Sequence, residues 1–185
     1  MSIPALWGGL QLDDHHESRI LRGTYPFSVT PSWHTELFTF GDGVPEHNQA
    51  KRDAGIYPWW CNPGFKCTFS HPLAAATHAA DYRLWPDSPA MMHLHSILWY
   101  VAAIAAVGLF YRRVFPTAWG AGAAVLLFAI DDIHTVTIVW ISNRNALISM
   151  VLAAAAMAAH VRGRQTRNVW WVAAAPLLLL TGLLA

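Results

Sequence analysis

Apolar and polar positions divide the chain into two unlike halves. From Leu94 onward, uncharged runs recur, each closed by charge or a turn. Leu94–Tyr111 holds eighteen residues with one His and no acid, Lys or Arg. As a helix it spans about 27 Å, close to the hydrocarbon thickness of a bilayer. Thr117–Ile130 is a second uncharged run, which meets Asp131, Asp132 and His134 before an apolar β-branched run to Ile141. Asn145–Val161, rich in Ala and Leu, is a third, and Val169–Ala185 a fourth. The pattern predicts an all-α integral membrane protein with about four transmembrane helices, near 94–111, 117–133, 145–161 and 169–185. A soluble all-α protein is the alternative, but several long apolar runs rarely share a small soluble domain.

Residues 1–90 read differently. Short helical patterns fall near Asp14–Leu21 and Pro72–Leu84. Thr24–Lys66 is loop-like, with Gly41-Asp42-Gly43 as a turn signal. Aromatic residues recur at Trp33, Phe38, Phe40, Tyr57, Trp59, Trp60, Phe65 and Phe69. The segment is expected to pack down on the membrane helices without forming a separate globule.

Composition sharpens this division. Only 12% of the 185 residues are charged, against about 25% in soluble domains. Residues 1–90 carry 15 of the 23 charged side chains and nine of the eleven prolines, so the average hides two halves. A net charge of +1 offers no basic surplus for a nucleic-acid partner. Ten Trp suit a membrane–water interface.

Arg112-Arg113 and the cluster Arg162, Arg164 and Arg167 lie two helices apart and therefore face one side. The positive-inside rule makes that side cytoplasmic, with residues 1–90 extracytoplasmic. In a bacterium this is an inner-membrane protein with residues 1–90 in the periplasm; in a eukaryote they face a lumen. Met1–Leu12 is too short for a signal peptide and has no basic n-region. Export then falls to the first long helix or to a helix upstream. The apolar run at Leu183-Leu184-Ala185 adds to the expectation of a partial chain from a larger multi-span protein.

Asp13-Asp14-His15-His16-Glu17 is the densest titratable cluster. Adjacent carboxylates at the outer end of a membrane helix could hold a divalent cation such as Mg or Mn, or act as a general base toward a hydroxyl. A solvated helix start capped by Asp is the structural alternative. Asp131, Asp132 and His134 fall where a helix is still in or near the bilayer, and ionisable groups there are costly. Arg144 could pair with these acids or bind a lipid phosphate through its planar fork. His71, His78, Asp81 and Arg83 form a further polar group, with His93 and His95 at the outer end of the first long helix. Cys61 and Cys67, the only cysteines, flank a Pro-Gly turn. Outside the cytoplasm a disulfide between them is permitted, with free thiols the alternative.

Phe128-Ala129-Ile130-Asp131-Asp132-Ile133-His134-Thr135, continued by Val139-Trp140-Ile141-Ser142-Asn143-Arg144-Asn145-Ala146-Leu147, resembles a stretch of the polytopic membrane glycosyltransferases of the GT-C superfamily. The nearest pattern is that of the tetratricopeptide-linked transmembrane O-mannosyltransferase-like proteins and their bacterial relatives. His134, Thr135, Trp140, Ile141, Ser142, Arg144 and Leu147 match it. His71-Pro72-Leu73, through Asp81-Tyr82-Arg83-Leu84-Trp85 to His93, resembles a second stretch, and Asp13-Asp14 falls where the family carries an acidic motif. The chain departs from the pattern at Asp131-Asp132, Val136, His71 and Ser96.

The resemblance implies glycosyl transfer at the outer membrane face. The donor would be a polyprenyl-phosphate-linked sugar, and the acceptor a protein, lipid or glycan hydroxyl. Asp13 or Asp14 would be the base or bind the metal, and Arg144 with His134 would stabilise the leaving phosphate. Two alternatives stand beside it. One is a transporter component with Asp131, Asp132 and His134 as an ion relay; the other is a catalytically inactive fragment.

Overall fold

The computed structural model describes residues 3–28 and 36–185. Met1 and Trp33, which figure in the reading above, lie outside the described residues. The described chain is mostly helical. A 3-10 turn, Ile3–Trp7, leads to helix α1, Asp14–Leu21. Strand β1, Thr39–Asp42, helix α2, Pro45–Asp53, and strand β2, Lys66–Thr68, follow. Helix α3, Pro72–Leu84, precedes the long helix α4, Pro89–Val114. Helices α5, Ala118–Ile130, and α6, Ile133–Val139, come next. A 3-10 turn, Ile141–Asn143, opens into α7, Arg144–Thr166, and α8 spans Val169–Gly182.

Local sequence explains the ends of these helices. Pro89 sits in the first turn of α4, where its missing N–H costs nothing. Thr117 and Asn168 cap α5 and α8, their side chains accepting the backbone N–H of Gly120 and Trp170. Arg167 ends α7 in the left-handed region at φ 51°.

Helix α7 packs on α8 and α4 through small residues. Ala154, Ala156, Ala158, Ala159 and Gly163 are all buried, which lets the backbones approach closely without a dense hydrophobic core. Ala106 and Val107 of α4 meet Ala154 in this layer. Helices α4 and α7 run in the same direction. At their first turns Arg144 donates to the Met92 carbonyl at 2.9 Å. At their ends Gln165 donates to the Arg113 carbonyl at 3.0 Å. Arg112 and Arg113 of α4 therefore lie at the same end of the bundle as Arg162 and Arg164 of α7, and the polar segment covers the other.

Among the described residues, two helices are long and apolar enough to cross a membrane, Pro89–Val114 and the continuous stretch Ile141–Thr166. They become three if α5 and α6, bent by 55° at Asp131-Asp132, are one broken span. Helices of this kind mark a membrane-associated protein. The fourth expected span forms only the 14-residue α8, about 21 Å long and short of a bilayer core of about 30 Å.

The loop expected over Thr24–Lys66 contains more structure than its composition suggests. Strands β1 and β2 pair antiparallel, with a bulge between Thr39 and Gly41. Gly41 sits in the ladder because Phe65 covers it; a Cβ there would lie 2.6 Å from the Phe65 ring. Cys61 and Cys67 are free thiols, not a disulfide. Cys67 is fixed in the ladder opposite Gly41, while Cys61 belongs to a turn donating to the Pro58 carbonyl. The two side chains thus belong to separately anchored backbones.

Candidate functional site

Helix α1 buries a polar face. Asp14, Glu17 and Ser18 are its buried residues. A turn places Asp14: the Gln11 N–H donates to one carboxylate oxygen at 2.9 Å. The other oxygen accepts from the Ser142 N–H at 2.7 Å and the Ser142 hydroxyl at 2.6 Å. Asp14 thereby joins the acidic motif to the Trp140–Arg144 stretch, 128 residues away. Both carboxylate oxygens are used in holding the two segments together.

Asp13 does not cap α1; its backbone is helical and its side chain makes no cap hydrogen bond. Instead it lines a pocket of about 230 Å³ with Glu17, Ser142, Asn143 and Asn145. Phe38, Phe40, Phe69, His71 and Trp140 form the remaining wall. The volume lies just below the roughly 300–1,000 Å³ of drug-sized sites, so the space suits one ring-sized group. Burial, and then the charge of Asp14, push the Asp13 carboxyl upward.

Burial pushes Glu17 well above the carboxylate range, with Asp14 adding to the effect. His78 stands behind it, Nδ1 to Oε2 3.8 Å. Burial and the charge of Arg144 hold His78 well below the ordinary imidazole value. Burial thus disfavours the charged form of both members of the pair.

Arg144, at the first turn of α7, is fully buried. It pairs with Asp81 of α3 at 2.6 Å. It also donates to the Ser96 hydroxyl at 3.1 Å, the Thr77 hydroxyl at 3.3 Å and the Met92 carbonyl. His95 meets the other Asp81 oxygen through Nδ1 at 2.6 Å and accepts from the Trp99 indole through Nε2 at 3.2 Å. Those two contacts assign the neutral tautomer with the proton on Nδ1.

This arrangement corrects two expectations. Arg144 pairs with Asp81, not with Asp131 or Asp132. A lipid phosphate also cannot reach its guanidinium without displacing Asp81, since the guanidinium has no exposure.

Asp131, Asp132 and His134 lie elsewhere. Asp131 and Asp132 are exposed at the α5–α6 break, and Asp131 accepts the Ile133 N–H at 3.1 Å. His134 packs between Phe128 and Tyr100, its ring 4.6 and 5.4 Å from theirs. With Tyr100 they line a separate recess of about 70 Å³. The structure therefore unites Asp13, Asp14 and the Ser142–Arg144 segment but leaves His134 apart. No group of three or more His, Cys, Asp or Glu among the described residues is placed to hold a metal ion.

Glu17 of the titratable cluster and Ser142 of the Trp140–Arg144 stretch take places in the site that the sequence did not assign them. The signal was present. Positions 14, 17 and 18 of α1, and 74, 75, 78 and 81 of α3, share one helical face. Acids and a His occupy places in that period where apolar residues usually sit.

Compared with known proteins, the chain matches no family model, no curated protein and no solved structure.

Proposed function

We propose that this chain is a membrane glycosyltransferase-like protein that moves a sugar from a polyprenyl-phosphate donor to a hydroxyl of an extracytoplasmic acceptor. One observation carries the reading: Asp14 of the acidic motif is hydrogen-bonded to Ser142 of the second motif, at the wall of a pocket that also holds Asp13. Two stretches that resemble the GT-C pattern thus meet in one place.

Asp13 is the general base. It is the carboxylate of the motif that faces the pocket while Asp14 is committed to Ser142 and Gln11. Its raised pKa brings it nearer the operating pH, which improves a base. The acceptor oxygen forms a bond to the anomeric carbon and the bond from that carbon to the phosphate oxygen breaks. The acceptor proton passes to Asp13, and the electron pair leaves with polyprenyl phosphate. Arg144 supports the site from below by fixing α3 and α4 around Asp81. The bundle end bearing Arg112, Arg113, Arg162, Arg164 and Arg167 is cytoplasmic by the positive-inside rule, and the pocket faces outward.

Membranes containing the chain, supplied with a polyprenyl-phosphate sugar and an acceptor, test this. Asp13→Asn is expected to lower transfer by about 10²–10⁴-fold, the usual contribution of a positioned base. Equal transfer by wild type and Asp13→Asn overturns the assignment.

A further inference from the structure

In the half of the bundle that ends in arginines, α4, α7 and α8 leave a groove of about 460 Å³ between them. Its α7 wall is Ala153, Ala156, Met157, His160 and Val161, spaced i, i+3, i+4, i+7 and i+8 along one helical face. Phe110 of α4 and Ala175 of α8 close its sides. From Ala153 to Val161 the helical rise gives a length of about 12 Å, against about 15 Å of hydrocarbon in one leaflet of a bilayer.

One further turn of each helix toward the arginine end brings charge and an indole to the mouth. Arg164 lies four residues beyond His160, Arg113 three beyond Phe110, and Trp171 four before Ala175, each on the same face of its helix as the groove residue. The Arg162 guanidinium lies 4.1 Å from the centre of the Trp171 ring, a stacking that leaves its N–H edges free to donate. Among the described residues Arg112, Arg113, Arg162 and Arg164 make no ion pair. The only acids of residues 91–185, Asp131 and Asp132, stand beyond the far end of α5. His160 is exposed and is the one hydrogen-bonding side chain of the groove wall, about 6 Å below Arg164 along the helix axis. An ionisable side chain among lipid-facing apolar ones asks for a function. An imidazole N–H at that depth can donate to an ester carbonyl.

A molecule that meets all of these groups has a tail one leaflet deep, an acceptor below its head and a negative charge at the boundary. We propose that this groove binds one acyl chain of an anionic glycerophospholipid such as phosphatidylglycerol, with its phosphate held by Arg113, Arg162 and Arg164. An apolar partner helix would fill the groove and leave the arginines uncompensated. A polyprenyl-phosphate donor would carry its phosphate at the opposite end, by the Asp13 pocket. The lipid site is therefore separate from the transferase reading and stands without it.

Native mass spectrometry of the detergent-solubilised full chain, titrated with phosphatidylglycerol or with phosphatidylcholine of the same acyl chains, tests this. One phosphatidylglycerol is expected to stay bound, at least about tenfold more tightly than phosphatidylcholine. Arg164→Gln should weaken it about fivefold, the worth of one cation at an anionic surface, and leave phosphatidylcholine unchanged. Ala153→Phe plugs the groove and should weaken both lipids. Arg164 is an exposed side chain near a helix end, so its variant covers the case of an Ala153→Phe chain that does not fold. Arg22→Gln, in the polar segment, should bind like wild type. Equal binding of the two lipids overturns the proposal. So does a folded Arg164→Gln or Ala153→Phe chain that binds phosphatidylglycerol like wild type, or an Arg22→Gln chain that loses as much as Arg164→Gln. A lipid-free dimer that Ala153→Phe dissociates overturns it too, giving the groove to a second copy of the chain. Displacement of phosphatidylglycerol by undecaprenyl phosphate overturns it in favour of the donor lipid.

Discussion

Arg144 shows how one side chain can organise one end of a bundle. A buried guanidinium is tolerable only with its charge matched and its donors filled, and Asp81, Ser96, Thr77 and the Met92 carbonyl do both. Those partners lie on α3 and α4, so the first turn of α7 fixes two neighbouring helices at once. Removing one member strands the other. Arg144→Met leaves the buried Asp81 with His95 alone as a partner and should cost about 3 kcal/mol, the lower end for breaking a buried ion pair. Thermal unfolding in detergent, followed by circular dichroism, reads the loss. The double variant Arg144→Met/Asp81→Leu should recover most of it, because two apolar groups of similar size demand no pairing. A single variant as stable as wild type would show that the ion pair carries no weight. Arg144→Lys is not conservative here, since one ammonium cannot serve four partners arranged around a planar fork.

At the scale of elements, regular local signals were legible and non-local ones were not. Asp14–Leu21 and Pro72–Leu84 have the bounds their patterns predict, and Leu94–Tyr111 lies inside α4. Pro45–Asp53 is a helix within a stretch that reads as a loop, although Pro45 in its first turn and Lys51-Arg52 in its last are ordinary end signals. The β1–β2 pair was hidden because its strands are only four and three residues long and separated by a whole helix. Asp13-Asp14 was legible as chemistry; its union with Ser142 was not, because nothing local in either segment specifies a contact across 128 residues. Small residues tell a similar story at the α7–α8 seam. A Cβ on Gly163 would fall 2.6 Å from Val172 Cγ2 and 2.8 Å from the Val172 backbone nitrogen, whereas one on Gly122 meets nothing within 4 Å. Gly163→Ala should therefore destabilise the chain by about 1–3 kcal/mol, the usual cost of overpacking. Gly122→Ala should be neutral or slightly stabilising, as expected for alanine replacing glycine within a helix. Equal unfolding midpoints for the two variants would mean that the seam is not closely packed.

For the whole molecule, the parallel course of α4 and α7 constrains how often the chain crosses the membrane. Both helices begin at the end where Arg144 meets Met92 and finish where Gln165 meets Arg113. A chain that enters two parallel spans at the same end must return between them. Only α5 and α6 are available for the return. Helix α5 alone has 13 residues, about 20 Å, too short for a core of about 30 Å. The bent pair together supplies the missing length, with Asp131 and Asp132 placed at its break. The expected topology thus has the α5–α6 pair as a crossing and all five arginines of the two clusters on the cytoplasmic side. Thiol labelling with a membrane-impermeant maleimide reads this directly. The native Cys61 and Cys67, half-buried in the polar segment, should react in intact cells. In a Cys61→Ser/Cys67→Ser background, Arg164→Cys and Trp119→Cys should react only after permeabilisation, because both mark the arginine end. Labelling of Trp119→Cys from outside would mean that α4 does not cross, whereas labelling of Arg164→Cys alone from outside would mean that α5 and α6 do not. Labelling of Arg164→Cys from outside, with Cys61 protected, would invert the protein and turn the carboxylate pocket toward the cytoplasm, where the proposed acceptor is absent.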